Sequence, residues 1–174
     1  PRFRETELFT SGAEGYHTYR IPALVVSNGG TLLAFCEARK YDPFDWGEIN
    51  IVLKRSFDNG NSWQSMQIVA AEEGDITFGN PVPVVDRDTG TVWLVFCRNN
   101  DEIYVTNSAD DGASWSNPEN ITSDVKLSAW TWYATGPGHG IQIKSGRLII
   151  PSDHYDGVRH EWPFYHSHVI YSDD

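Results

Sequence analysis

One short segment occurs twice in this chain of 174 residues, and it constrains the fold more than any other feature. Ser56-Phe57-Asp58-Asn59-Gly60-Asn61-Ser62-Trp63 returns as Ser108-Ala109-Asp110-Asp111-Gly112-Ala113-Ser114-Trp115, so both copies read S-x-D-x-G-x-S-W. Ser172-Asp173-Asp174 reads as the opening of a third copy. The pattern is that of a turn. An Asp accepts backbone N–H bonds, Gly supplies a positive φ, and Trp packs beneath the hairpin. A turn that recurs with every unit cannot be a unique active site, so Ser56, Asp58, Gly60, Trp63, Ser108, Asp110, Gly112 and Trp115 are expected to be structural.

Between the copies the chain alternates short apolar runs with Gly, Asn, Asp and Pro turns, and helical periodicity is hard to find. Strands are predicted over 31–36, 49–54, 92–97, 103–106, 140–143 and 147–150. Short strands repeating every ~50 to 65 residues fit four-stranded propeller blades, one per repeat. The chain then holds about three blades. Three blades do not close a ring, so a functional unit is expected to need more protein: missing C-terminal blades, a second chain or a partner copy.

Composition excludes several classes. The net charge of −11 argues against nucleic acid, whose binding rests on phosphate neutralisation. No apolar run reaches the ~20 residues of a membrane span. The six histidines and two cysteines show neither zinc spacing nor HExxH, and Gly136-Pro137-Gly138 lacks the Lys and Ser of a phosphate loop, so no metal or cofactor is expected. Cys36 and Cys97 lie in apolar runs and read as buried free thiols, with a bridge between neighbouring strands as the alternative. The compartment is left open, with a secreted, cell-surface or lysosome-like setting as the expectation. Asn120-Ile121-Thr122 is a glycosylation sequon that acquires meaning only in a secreted eukaryotic protein.

Further motifs accompany the repeats in a fixed order. Tyr19-Arg20-Ile21-Pro22 comes first, then Leu32-Leu33-Ala34-Phe35-Cys36-Glu37-Ala38-Arg39, then Gly47-Glu48-Ile49-Asn50-Ile51-Val52-Leu53-Lys54-Arg55-Ser56, and later Gly136-Pro137-Gly138-His139-Gly140. Together with the repeated boxes they resemble the exo-sialidases (neuraminidases) of cellular and bacterial type, over nearly the whole chain. The resemblance implies a six-bladed all-β propeller, with residues 1–174 as the N-terminal part of a single catalytic domain ending within a third Asp box. It implies retaining hydrolysis of terminal α-linked sialic acids from sialylated glycans. It maps Arg20 onto the first of three arginines that clamp the substrate carboxylate, a role guanidinium suits because its planar fork matches that group. Arg39 maps onto a pocket arginine, against the alternative of a structural ion pair with Glu37 or Asp42.

Proton delivery to the leaving oxygen maps onto Asp45, with Phe44 and Trp46 expected to desolvate it; Asp42, before Pro43, reads as a turn former. Asn80 maps onto a sugar-contacting position, with an Asn-Pro turn as the even alternative. Trp130-Thr131-Trp132-Tyr133 offers either a wall for an acetamido methyl or strand packing. Tyr155 is a candidate for the glycerol side chain, and His139 reads as structural. The nucleophile is expected to be a Tyr paired with a Glu in later blades, leaving this chain alone catalytically incomplete. A lectin-like sialic-acid binder, a trans-sialidase and a purely structural propeller are the rival readings.

Overall fold

The computed structural model describes residues 3–157 and 164–173 of the chain. Twelve strands form three four-stranded antiparallel sheets, with one short helical turn, α1 (Thr122–Val125), among the described residues. The first blade runs β1 (Thr18–Val26), β2 (Leu32–Arg39), β3 (Ile49–Ser56) and β4 (Gln67–Ala70) in sequential order. The second repeats it with β5 (Phe78–Val85), β6 (Val92–Arg98), β7 (Glu102–Ser108) and β8 (Glu119–Asn120). In the third, β9 (Trp132–Thr135) and β10 (Ile141–Gln142) both pair with β11 (Leu148–Tyr155), which pairs with β12 (Tyr165–Ser172). The molecule is therefore a partial propeller of three blades.

The blades are cemented face to face by alternating side chains. Leu33, Phe35, Ile51 and Leu53 of the first blade bury against Phe78, Val92, Leu94 and Phe96 of the second. Val82, Val84, Val95, Cys97 and Ile103 of the second bury against Tyr133 and Ile150 of the third. Each Asp box closes the far side of a blade. Ser56 stands opposite Leu32, Ser108 opposite Val92 and Ser172 opposite Leu148 in the strand registers. In both complete boxes the aspartate accepts the backbone N–H of the following serine at 2.8 Å and its hydroxyl at 2.6 Å. Asn59 and Asp111 take positive φ ahead of the box glycines. Trp115 meets Phe35 of the first blade edge-on at 5.7 Å, so the second box also docks the second blade on the first. The third box needs Asp174, which lies outside the described residues; Asp173 instead pairs with Arg147 at 2.7 Å.

The first strand of every blade is broken at the same place. The β1 register shifts between Arg20 and Ala23, the β5 register between Gly79 and Val82, and β9 gives way to β10 after Thr135. At each break a residue of positive φ precedes a proline: Ile21 (55°), Asn80 (58°) and Gly136 (82°). A bulge re-aims the adjoining side chain and ends regular pairing. Prolines inside β1 and β5 hid these strands from a periodicity reading, because a central strand rarely tolerates Pro. Cys36 and Cys97 are buried and unbridged. Burial pushes both thiols up to about 12, which leaves them inert at neutral pH.

Candidate active site

The end of the blades opposite the Asp boxes carries the charged cluster. Arg20 leaves β1 at its bulge, where the Cys36 thiol donates to the Arg20 carbonyl at 2.9 Å. Ile21 is β-branched and held at φ 55°, a strained conformation that a regular strand would not need. The bulge leaves the Arg20 side chain 48% exposed, with Nη1 2.9 Å from Oδ1 of Asp45. Pro22 thus lies in the bulge itself.

Arg39, at the end of β2, is only 2% exposed and ties four groups together. Its Nε and Nη2 donate to Oε2 of Glu37 at 3.2 and 2.7 Å. Its Nη1 donates to the carbonyls of Pro43 and Phe44 at 2.6 and 2.8 Å. Its Nη2 also stands 2.7 Å from Oδ1 of Asp45. The expected alternative of an ion pair with Glu37 is therefore realised at the same time as a place beside the pocket; no pairing with Asp42 accompanies it. Asp42 accepts the Phe44 N–H at 2.9 Å, the turn-forming role anticipated for it.

Glu37 is fixed from a second side, since its Oε1 accepts the Asn80 N–H at 2.8 Å. Gly79 permits that approach, because a Cβ there would fall 2.8 Å from the same oxygen. Burial pushes the Glu37 carboxyl above its ordinary value, opposed by the Asn80 N–H and the Arg39 guanidinium. The Asn80 carbonyl accepts the Thr135 hydroxyl at 2.6 Å, linking the broken first strands of the second and third blades. Thr77 donates to the Gly47 carbonyl at 2.9 Å and holds the far end of the loop.

These groups surround a cavity of about 300 Å³ lined by Arg20, Glu37, Arg39, Asp45, Asn80 and Trp132, with Tyr165 at its margin. The cavity thus gathers Arg20, Arg39, Asp45 and Asn80. It corrects the expectation that Phe44 and Trp46 desolvate Asp45. Their rings stack on each other, with centroids 4.9 Å apart and planes 1° apart, and the Asp45 side chain remains 68% exposed. Tyr155 is also corrected. It is fully buried against Phe164 and Tyr165, and Tyr165 reaches the cavity in its place. Of the aromatic run, Trp132 lines the cavity, while Tyr133 is core and Trp130 stacks on His154 at 3.6 Å. His139 bonds to the neighbouring Gly140 carbonyl at 2.8 Å, as a turn residue. Glu37, Thr77, Asn100 and Tyr165 were not assigned pocket roles from sequence. Glu37 was visible two residues from Arg39 as its ion-pair partner, whereas the other three carry no local signature.

Residues 22–174 match the model of the BNR repeat-like domain. The chain belongs to that family. Among curated relatives it is 33% identical, over 87% of its length, to the exo-alpha-sialidase of Aspergillus fumigatus, and 35% identical, over its whole length, to sialidase-3 of Mus musculus. It spans less than half of each relative, 46% and 48%. Among solved structures the Hadza microbial sialidase Hz136 superposes with a TM-score of 0.86 at 30% identity, covering 94% of this chain and 37% of that one. The resemblance to sialidases read from the motifs is thus borne out along the chain.

Proposed function

We propose that these blades form one half of the site of an exo-α-sialidase, completed by further blades to a six-bladed ring. The observation that carries this reading is the convergence of Arg20 and Arg39 on one oxygen of Asp45 at the wall of a cavity of about 300 Å³. A sialic acid presents a carboxylate beside its anomeric carbon. Arg20 is exposed enough to take it, and the guanidinium fork matches it. Arg39 is not; it holds the Asp45 loop in place.

Asp45 now occupies Arg20, so an incoming carboxylate competes with it there. When the substrate wins, the Asp45 carboxyl is released from Arg20 and is free to face the glycosidic oxygen. That carboxyl then donates its proton to the glycosidic oxygen as the bond breaks. A phenol as nucleophile avoids the repulsion a second carboxylate would meet at this anionic sugar, the Tyr chemistry of sialidases. The Tyr and its Glu base belong to the remaining blades in this reading. Trp132 and Tyr165 supply an apolar wall for the sugar's substituents, with Asn80 beside them. The substrate class is terminal α-linked sialic acid on glycans, in line with the names of the relatives.

Asp45→Asn in the complete enzyme tests this. Its kcat should fall ~10²- to 10⁴-fold on alkyl sialosides, which need a proton, and far less on a nitrophenyl sialoside, which does not. Binding of free sialic acid should hold or tighten, because the competing anion at Arg20 is gone. Equal rates for mutant and wild type on the alkyl substrate would remove Asp45 from the acid role.

A further inference from the structure

The loop that carries Asp45 displays its aromatic side chains outward. Phe44 is 52% and Trp46 63% exposed, and Tyr41 of the same loop 71%. The two rings lie parallel with centroids 4.9 Å apart, one residue to either side of Asp45. They are held in place from beneath. Arg39 binds the Pro43 and Phe44 carbonyls, Thr77 binds the Gly47 carbonyl, and Lys40 donates its N–H to the Glu48 carbonyl at 3.0 Å. A stacked aromatic pair on a braced loop, flanking a residue that lines the cavity, offers apolar ring surface to a ligand.

An exo-acting site takes the terminal sialic acid, so the remainder of the glycan lies outside the cavity, beyond the glycosidic oxygen. In that reading the proton donor to that oxygen is on this loop, between Phe44 and Trp46, neither of which lines the cavity itself; Trp46 lines the neighbouring hollow with Tyr41 and Asp42. The face of a pyranose presents C–H groups, which pack against aromatic rings.

We infer that Phe44 and Trp46 form the platform on which the first sugar of the leaving group stacks, and so set preference among sialylated glycans. This rests on Asp45 as proton donor. It goes beyond that reading by assigning residues outside the sialic acid cavity to the other side of the scissile bond. Phe44 and Trp46 act on specificity, with no part in the bond-breaking step.

The test uses the complete enzyme, with methyl α-sialoside and an α-sialyl-galactoside as substrates. Both have alkyl leaving groups that need the proton, and they differ in whether a sugar follows. Phe44→Ala and Trp46→Ala should each lower kcat/KM on the sialyl-galactoside about fivefold and leave the methyl sialoside within about twofold. Trp46→Phe should restore the sialyl-galactoside rate. An equal fall on both substrates overturns the inference, since it would mean that the rings only position Asp45. No change on either overturns it as well. Failure of the wild-type enzyme to hydrolyse either substrate would instead remove the sialidase reading, and the platform with it.

Discussion

Strands β2 and β3 end in two contrasting ways. At one end Leu32 faces Ser56 and the chain turns through the first Asp box; at the other Arg39 faces Ile49 and the chain passes into the loop of Asp45. The turn end is copied in the next blade, where Val92 faces Ser108 and the same hydrogen bonds recur. The Glu37–Arg39–Asp45 cluster is not copied. Cys97, opposite Gly79, takes the register place that Glu37, opposite Arg20, holds in the first blade. Arg98, which follows Cys97, pairs with Glu72 and Glu102 instead, away from the cavity lining. What repeats maintains every blade, and what occurs once is free to serve chemistry. The two ends should therefore respond differently to substitution.

Arg39→Met gives the largest expected effect. It strands the buried Glu37 carboxylate and frees the carbonyls of Pro43 and Phe44. Removing one partner of a buried pair costs about 3–5 kcal/mol, measurable by denaturant unfolding. The double variant Arg39→Met, Glu37→Met should recover much of that stability, because no charge is left behind. It should not recover activity, because the loop stays unbraced. A single variant with native stability would show that the charged end is not held by this pair and would dissolve the contrast.

How much of each end was legible follows from the same distinction. The boxes announce themselves because a turn with fixed backbone demands, S-x-D-x-G-x-S-W, leaves its requirements in adjacent residues. The strands between them were legible wherever apolar residues ran unbroken, as at Val92–Cys97. They were not legible at β1 and β5, where Ile21-Pro22 and Asn80-Pro81 break the pattern at the bulges that present the site. Arg20, Arg39 and Asp45 became candidates only through resemblance, since 25 residues separate Arg20 from its partner Asp45. Tyr165 lies on a strand of the third blade and meets the cavity only because the blades converge there. No local pattern encodes that. The stacking of Phe44 on Trp46, which exposes Asp45 instead of burying it, was equally absent from the sequence.

A second experiment sharpens the contrast within the copied end. Gly112 and Gly60 hold the same place in their boxes at φ 78° and 82°. A Cβ on Gly112 would lie 2.5 Å from Cδ2 of Leu33 and 3.2 Å from that of Leu53, in the first blade. A Cβ on Gly60 would find Leu32 at 3.4 Å, within its own blade. Gly60→Ala should cost about 1–2 kcal/mol for the left-handed backbone. Gly112→Ala adds an overpacking cost of about 1–3 kcal/mol, because it wedges two blades apart. Equal losses in unfolding free energy would mean that the second box does not dock the blades.

The smallest effect is in acid. Hydrogen bonds from the Ser62 and Ser114 hydroxyls and N–H groups hold Asp58 and Asp110 down from the ordinary 3.8 to about 2. The unfolded chain therefore binds more protons than the folded one between about pH 4 and 2, so stability falls as pH drops through that window. Glu37, pushed the other way by burial, has the opposite sign: its contribution is lost as pH rises through its folded value. The box carboxylates and Glu37 thus titrate in opposite directions. Because both box carboxylates are exposed, solvent screens them and the shift in Tm should be modest. The double variant Asp58→Asn, Asp110→Asn should start from a lower Tm at pH 5 and lose less between pH 4 and 2 than the wild type. Parallel Tm curves over that range would show that the box hydrogen bonds do not discriminate carboxylate from carboxyl, and that Gly and Trp alone carry the turn.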